Sequence, residues 1–436
     1  MVGSDGRAHA LAHVLGRSAD VVVTPGNPGI AGSTESPPED LDGDLFVIGP
    51  EGPLVEGLAD RLRSRGKRVY GPGADGARLE GSKAWMKELV AEAGVPTARY
   101  GVFEEAAPAR AFLRSLDGPW VVKTDGLAGG KGVLVTDSLV EAEDDVKAKL
   151  GGVSFGDAGR KVVIEEGLVG TELSLLAVCD GRRAVPLAPA RDYKRLGDGD
   201  LGPNTGGMGA YSPVPEASER LLGEVMDRFV EPTLWTLRRR GIDYRGTLYA
   251  GLMLTADGPR LLEYNVRFGD PEAQVVLPRL TADLSDVLAG AADGHLSTEA
   301  TFDAGAALTV VCASEGYPTD PHVGERIDGL RDVAELDGVT VYHAGVALDH
   351  DGRLVTAGGR VLALTGQAPT LAEARARAYG AVGRVSWSGM QHRTDIGGDI
   401  GGDIGAQRAV CLEAALEAAE AAARLAWEND REERRR

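Results

Sequence analysis

A chain of 436 residues is too long for one hydrophobic core and is expected to form two to four domains. Its formal charge of −19, from 47 Lys+Arg against 66 Asp+Glu, argues against nucleic acid and membrane surfaces as partners. That balance leaves room for a locally basic site that takes small anions. The 61 glycines are about twice the average share but follow no collagen-like period, so they are expected in loops and close backbone approaches.

In chain order, residues 21–23, 45–48 and 68–70 read as short strands followed by Gly/Pro turns. Between them Leu54, Val55, Leu58 and Leu62 carry helical spacing over 54–65. This alternation predicts a parallel α/β layer over about the first ninety residues. A helix over 82–93 should start on Ser82 and stop at Gly94 and Pro96. From 96 to 170 come a strand–loop–strand unit (120–123, 133–136), a helix and a strand at 162–165. A mixed α/β region runs to about residue 303, followed by an α+β part over 304–407 and an Ala/Glu-rich helical tail over 408–436. The run DIGGDIGGDIGA at 395–406 is a four-residue repeat expected to be a surface loop. Cys179, Cys312 and Cys411 are too scattered for a disulfide framework or a thiolate metal site. With no signal peptide and no bilayer-length apolar run, the chain is expected in the cytoplasm. His9 and His13 are four apart, but no third ligand suggests itself, so they are expected in solvent or core.

Three segments carry chemistry. In WVVKTDGLAGGKGV (120–133) a strand ends in Lys123, and a glycine-rich loop with Lys131 follows at once. Backbone N–H groups without Cβ obstruction can approach phosphate oxygens there, although a solvated glycine-rich hairpin has the same composition. The spacing is not that of a Walker A loop. In LLEYNVRFGDPE (261–272), Glu263 and Asn265 are two apart on a strand and share a face. Their oxygens suit Mg²⁺, and Arg267 could hold a phosphoryl group, although an amphipathic strand would look similar. The third segment, RDYKRLGDGDLGPNTGGMGAYSP (191–213), is a long glycine-rich stretch with Asp192, Lys194 and Arg195. It reads as a functional loop rather than filler.

The order SK (82–83), VVKTDGLAGGKGV, IEEGLVGTELS (164–174), GPNTGGMGAYSP (202–213) and EYNVRFGDPEAQ (263–274) resembles the phosphoribosylamine–glycine ligases of the ATP-grasp superfamily. The likeness runs from about residue 3 to 397. It implies an N-terminal Rossmann-like domain (1–95), an ATP-grasp small lid (96–170) and central domain (171–303), and the C-terminal α+β domain. It also implies ATP-dependent joining of glycine to 5-phosphoribosylamine through a glycyl phosphate, in a monomer or weak dimer. By the resemblance, Lys83, Lys123, Gly126, Gly129, Gly130, Lys131, Glu165, Glu166, Leu168 and Glu172 would bind ATP. Glu263 and Asn265 would hold Mg²⁺ or Mn²⁺. Arg267, Lys123 and Asp192 would act on the reacting groups, and Asp192, Lys194, Asn204, Gly206, Gly207 and Asp270 would hold the other substrates.

The chain also departs from that pattern. Only Met1 and Val2 precede Gly3, where the family opens on a full apolar strand. Either the true start lies upstream or the first strand is missing, and in the latter case the N-terminal domain is expected to be the least stable part. Ala8 replaces the usual Glu, Arg191 the usual Gln, and SPPED stands where a strand and helix are usual. These changes leave a second reading, a divergent paralogue that ligates another amine or amino acid. A third reading is a nucleotide-binding protein without catalysis, against which Lys123, Glu263 and Asn265 speak.

Overall fold

The computed structural model describes residues 1–127, 132–152, 154 and 159–398. At its N-terminus short parallel strands lie side by side. Thr24–Pro25 pairs with Val2–Gly3, Val2 bridges to Ile48, and Phe46–Val47 pairs with Val69–Tyr70. Val2–Gly3 therefore sits inside the layer, so of the two alternatives the one in which the first strand is absent altogether is corrected. Val2 is paired on both flanks and buried in the main core. The helix expected over 54–65 is in fact two, Glu51–Val55 and Leu58–Ser64, separated by Gly57 at φ 77°. That left-handed turn costs glycine little. Leu54, Leu58 and Leu62 stay buried across it, which is why the apolar period shows no gap. Ser82 caps the helix Lys83–Ala93 by accepting from the Trp85 amide, and Gly94 ends it in the left-handed conformation. The SPPED stretch forms a single 3-10 turn, Pro38–Asp40.

The lid is an antiparallel sheet in the order Tyr100–Phe103, Val162–Glu166, Trp120–Thr124, Val133–Thr136. Helices Ala106–Leu113 and Leu139–Leu150 bury Ala109, Leu113, Ala142 and Val146 against Val122 and Ile164, giving the lid its own core. The central sheet runs Ala184–Pro186, Thr171–Asp180, Arg245–Thr255, Gly258–Asn265, again antiparallel. A third sheet joins Arg191–Asp192 and Gly209–Ser212 to Ala306–Ala313, Arg360–Ala368 and Val339–His343. It thus runs across residue 303, where composition places a boundary.

Two of the contacts that tie the C-terminal part to the rest involve histidine and arginine side chains. His9 Nδ1 accepts from the His343 amide at 2.9 Å and the two rings stack, so His9 packs inside a domain contact. Arg393 pairs with Asp200 and Asp395 and lies over the Tyr193 ring, clamping the hairpin Arg195–Gly197/Leu201–Asn204. The rest of the DIGG repeat beyond residue 398 and the expected helical tail lie outside the described residues.

Candidate active site

A cleft of about 310 Å³ opens where the three sheets and the N-terminal layer meet. The strand Gly258–Asn265 delivers its chemistry by alternation: Glu263 and Asn265 line the cleft, while the Tyr264 hydroxyl turns away to donate to the Phe229 carbonyl. Arg267 follows and is held on several sides. It donates to Glu80 Oε1 (2.8 Å), Asn265 Oδ1 (3.1 Å) and Glu51 Oε2 (3.2 Å). Burial works against its charge, but Glu80 and Glu51 more than offset it and hold its pKa above the ordinary value. Burial likewise opposes ionisation of Glu51, yet Arg267 and Arg7 bring that carboxyl down to about 2. A guanidinium fixed in this way can receive a planar oxyanion without reorganising.

Beneath the lid, Glu165 is 2% exposed and bridges two lysines. Its Oε1 lies 2.8 Å from Lys123 Nζ and its Oε2 3.2 Å from Lys87 Nζ. Lys123 also donates to the Leu262 carbonyl at 3.1 Å, which aims it at the strand that carries Glu263. Lys83 Nζ reaches the Gly126 carbonyl at 3.4 Å, so the start of the glycine-rich loop meets the helix Lys83–Ala93.

Glu263 has no hydrogen-bond donor or ion pair among the described residues. Burial would raise its pKa, but the fields of Lys123, Lys83, Lys194 and Arg267 bring it below the ordinary carboxylate value. An ionised carboxylate two residues from an amide oxygen, both open to the cleft, is a hard-oxygen donor set that suits Mg²⁺ or Mn²⁺.

The opposite end is built from three loops. Lys194 is shared between Asp192 (2.9 Å) and Glu172. Arg360, from the C-terminal sheet, donates to the carbonyls of Gly206 (2.7 Å) and Asp270 (2.8 Å) and pairs with Asp270 Oδ2 at 3.1 Å. Gly207 is required by this closeness. Its φ is 111°, and a Cβ there would lie 2.4 Å from Pro271. Glu272 lines the cleft beside Tyr249, whose hydroxyl donates to it at 2.5 Å.

Of the residues expected from the sequence, Lys83, Asp192, Lys194, Gly206, Glu263, Asn265, Arg267 and Asp270 line this one cleft. Lys123 and Glu165 lie just beneath it as a pair. Glu172 reaches it only through Lys194, and Glu166 turns away to accept from the Arg99 amide. Asn204 is taken up by hairpin pairing with Arg195. Gly129, Gly130 and Lys131 lie outside the described residues. Sequence reasoning missed Asp5, Arg7, Glu51, Glu80, Lys87, Tyr249 and Arg360, and did not single out Glu272 within its motif. Arg360 carries no local signal.

Residues 81–273 match the phosphoribosylglycinamide synthetase ATP-grasp (A) domain, 1–80 the N domain and 307–399 the C domain of the same family. The phosphoribosylamine–glycine ligase of Brucella melitensis is 46% identical over 414 residues, covering 91% of this chain and 96% of its own length. That of Streptomyces coelicolor is 47% identical over 416 residues, with 91% and 97% covered. Among solved structures, the Thermotoga maritima phosphoribosylamine–glycine ligase superposes with a TM-score of 0.78 at 38% identity, covering 91% of this chain and 98% of its own. The biotin carboxylase domain of the Hydrogenobacter thermophilus 2-oxoglutarate carboxylase shares the fold at a TM-score of 0.61 and 18% identity, covering 80% of this chain and 76% of its own. The fold and the cleft are those of an ATP-grasp carbon–nitrogen ligase. Within that class the chain belongs to the phosphoribosylglycinamide synthetase family. These relatives support the glycine ligase reading, not the divergent paralogue.

Proposed function

We infer that this chain joins glycine to 5-phosphoribosylamine with ATP, giving glycinamide ribonucleotide, ADP and phosphate in purine synthesis. The observation that carries the reading is the convergence of Glu263, Asn265, Arg267 and Lys83 on one cleft above Lys123, in a chain that matches the family from end to end of its three domains.

In this reading Lys83 and Lys123 hold the nucleotide phosphates. The Glu165 carboxylate is spent on Lys87 and Lys123, so adenine recognition falls to the backbone of the hinge from Glu166 to Leu168. Glu172, which pairs with Lys194, would take the ribose hydroxyls. Glu263 and Asn265 would hold Mg²⁺ or Mn²⁺, which when bound offsets phosphate charge. Arg267 steadies the phosphoryl group as it passes to the glycine carboxylate, a step that needs positioning and charge rather than covalent help from the protein. Asp192, Lys194, Asp270 and the 204–207 turn hold the glycine and amine end, and Arg360 fixes that turn. A screen of amino acids for phosphoribosylamine-dependent ADP release tests the reading: glycine is expected to dominate, and equal turnover with alanine or serine would refute it.

A further inference from the structure

Making the amide requires the attacking amine to give up a proton. As the nitrogen bonds to the glycyl carbonyl carbon, the bond from that carbon to the phosphate oxygen breaks. Phosphate leaves with that electron pair, and one N–H proton must find an acceptor.

The carboxylates around the cleft are not equally free to accept it. Asp5 is paired with Arg7, Glu51 and Glu80 with Arg267, Asp192 with Lys194, and Asp270 with Arg360. Glu263 is the carboxylate that would hold the metal in the reading above. Glu272 remains, and among the described residues no cation lies within ion-pair distance of it. It is 3% exposed and lines the cleft. Its Oε1 accepts from the Tyr249 hydroxyl at 2.5 Å, with Ser174 Oγ at 3.5 Å, and those two hydroxyls touch each other at 2.8 Å. Gly269 keeps the room for Oε2, since a Cβ there would lie 2.2 Å from it.

We propose that Glu272 is the general base that takes the proton from the amine as it attacks the acyl phosphate, a role that rests on the ligase reading above. Tyr249 and Ser174 orient the carboxylate, and the proton passes afterwards to solvent. The surroundings suit the task. Burial first, then the charge of Asp192, push the Glu272 carboxyl up to about 6, while Tyr249 and Lys194 pull the other way. Arg267 and Arg360 face the same space and keep it from rising further. Such a group is ionised at neutral pH and still basic enough to accept a proton.

The test compares wild type, Glu272→Gln, Glu272→Asp and Tyr249→Phe between pH 5 and 9, with ATP, Mg²⁺, glycine and freshly generated phosphoribosylamine. Glu272→Gln should lower kcat roughly 10²–10⁴-fold and remove the acid limb of the profile, with the KM for ATP unchanged. Glu272→Asp should recover at least about tenfold of that loss, because a carboxylate is restored. Tyr249→Phe should shift the acid limb to higher pH, because it deletes a hydrogen bond that favours the ionised carboxylate. A Glu272→Gln enzyme with kcat within about threefold of wild type, or with only its glycine KM raised, would overturn the proposal. If Glu272→Gln fails to fold, an unmoved limb in Tyr249→Phe overturns it. Wild type that does not turn over these substrates fails the ligase reading instead, so the two failures are told apart.

Discussion

Lys123 and Glu165 form a buried ion pair, Nζ to Oε1 at 2.8 Å, and the second carboxylate oxygen is held by Lys87 at 3.2 Å. Two cations thus share one anion under the lid, leaving a positive excess beside the strand that carries Glu263 and Asn265. Burial is the main influence on Lys87 and brings its pKa to about 8, although Glu165 opposes the shift. In the proposed reading the arrangement resolves a conflict set by composition: a chain with a charge of −19 must still hold triphosphate, and would do so with a local reserve of lysines screened from the acidic surface.

Replacing Glu165 by Gln removes the anion from both lysines at once. Breaking a buried pair from one side costs about 3–5 kcal/mol, because an uncompensated charge stays behind. Urea unfolding monitored by fluorescence should show a loss of that order, and a change below about 1 kcal/mol would deny that the triad is a structural unit.

By the proposed reading, Lys123→Met deletes a charge-assisted contact to the nucleotide phosphates worth about 1.5–3 kcal/mol. The KM for ATP should rise by about ten- to a hundredfold while the glycine KM stays within about twofold of wild type. An unchanged ATP affinity would remove Lys123 from the nucleotide site.

Glu263→Gln keeps the shape of the side chain but halves the hard-oxygen character of the candidate metal site. Mn²⁺ binding followed by electron paramagnetic resonance should weaken at least tenfold, and turnover should fall about a hundredfold or more. Manganese binding that is the same in both proteins would place the metal elsewhere.

The contact between His9 and His343 makes a prediction about acid. Burial lowers the first to about 3 and the second to about 4, and the ring charges of His343 and His13 lower His9 further. Both are therefore neutral in the folded chain where the unfolded chain, with histidines near 6.5, already binds protons. Stability should be fully present above pH 6.5 and fall steadily as pH drops towards 4. His9→Gln, whose amide oxygen can still accept from the His343 amide, should flatten that slope in pH-dependent unfolding.

How far the residues announce the site follows from where each contact comes from. Glu263 and Asn265 were legible because a strand's two-residue alternation is local, and Ser82 because a cap is made within its own first turn. Lys123 was legible from its place at the end of a strand beside glycines. Arg360 was not, because it meets Gly206 and Asp270 only once the C-terminal sheet has folded over them. Glu80 and Lys87 lie on helices and carry no local signal, and only the approach of Arg267 and Glu165 shows what they do. The single helix expected over 54–65 broke at Gly57, whose left-handed turn leaves the apolar spacing intact. The first strand was legible only as an alternative, an upstream start or a missing strand, because two residues make no apolar run, yet Val2 and Gly3 are paired in the layer.

The most direct measurement of the central claim is product analysis by mass spectrometry on purified protein given ATP, Mg²⁺, glycine and freshly generated phosphoribosylamine. The account predicts glycinamide ribonucleotide in a one-to-one ratio with ADP and phosphate, and none when either glycine or the amine is omitted. ADP release with no glycinamide ribonucleotide, or a product that forms only with a different amine, would contradict it.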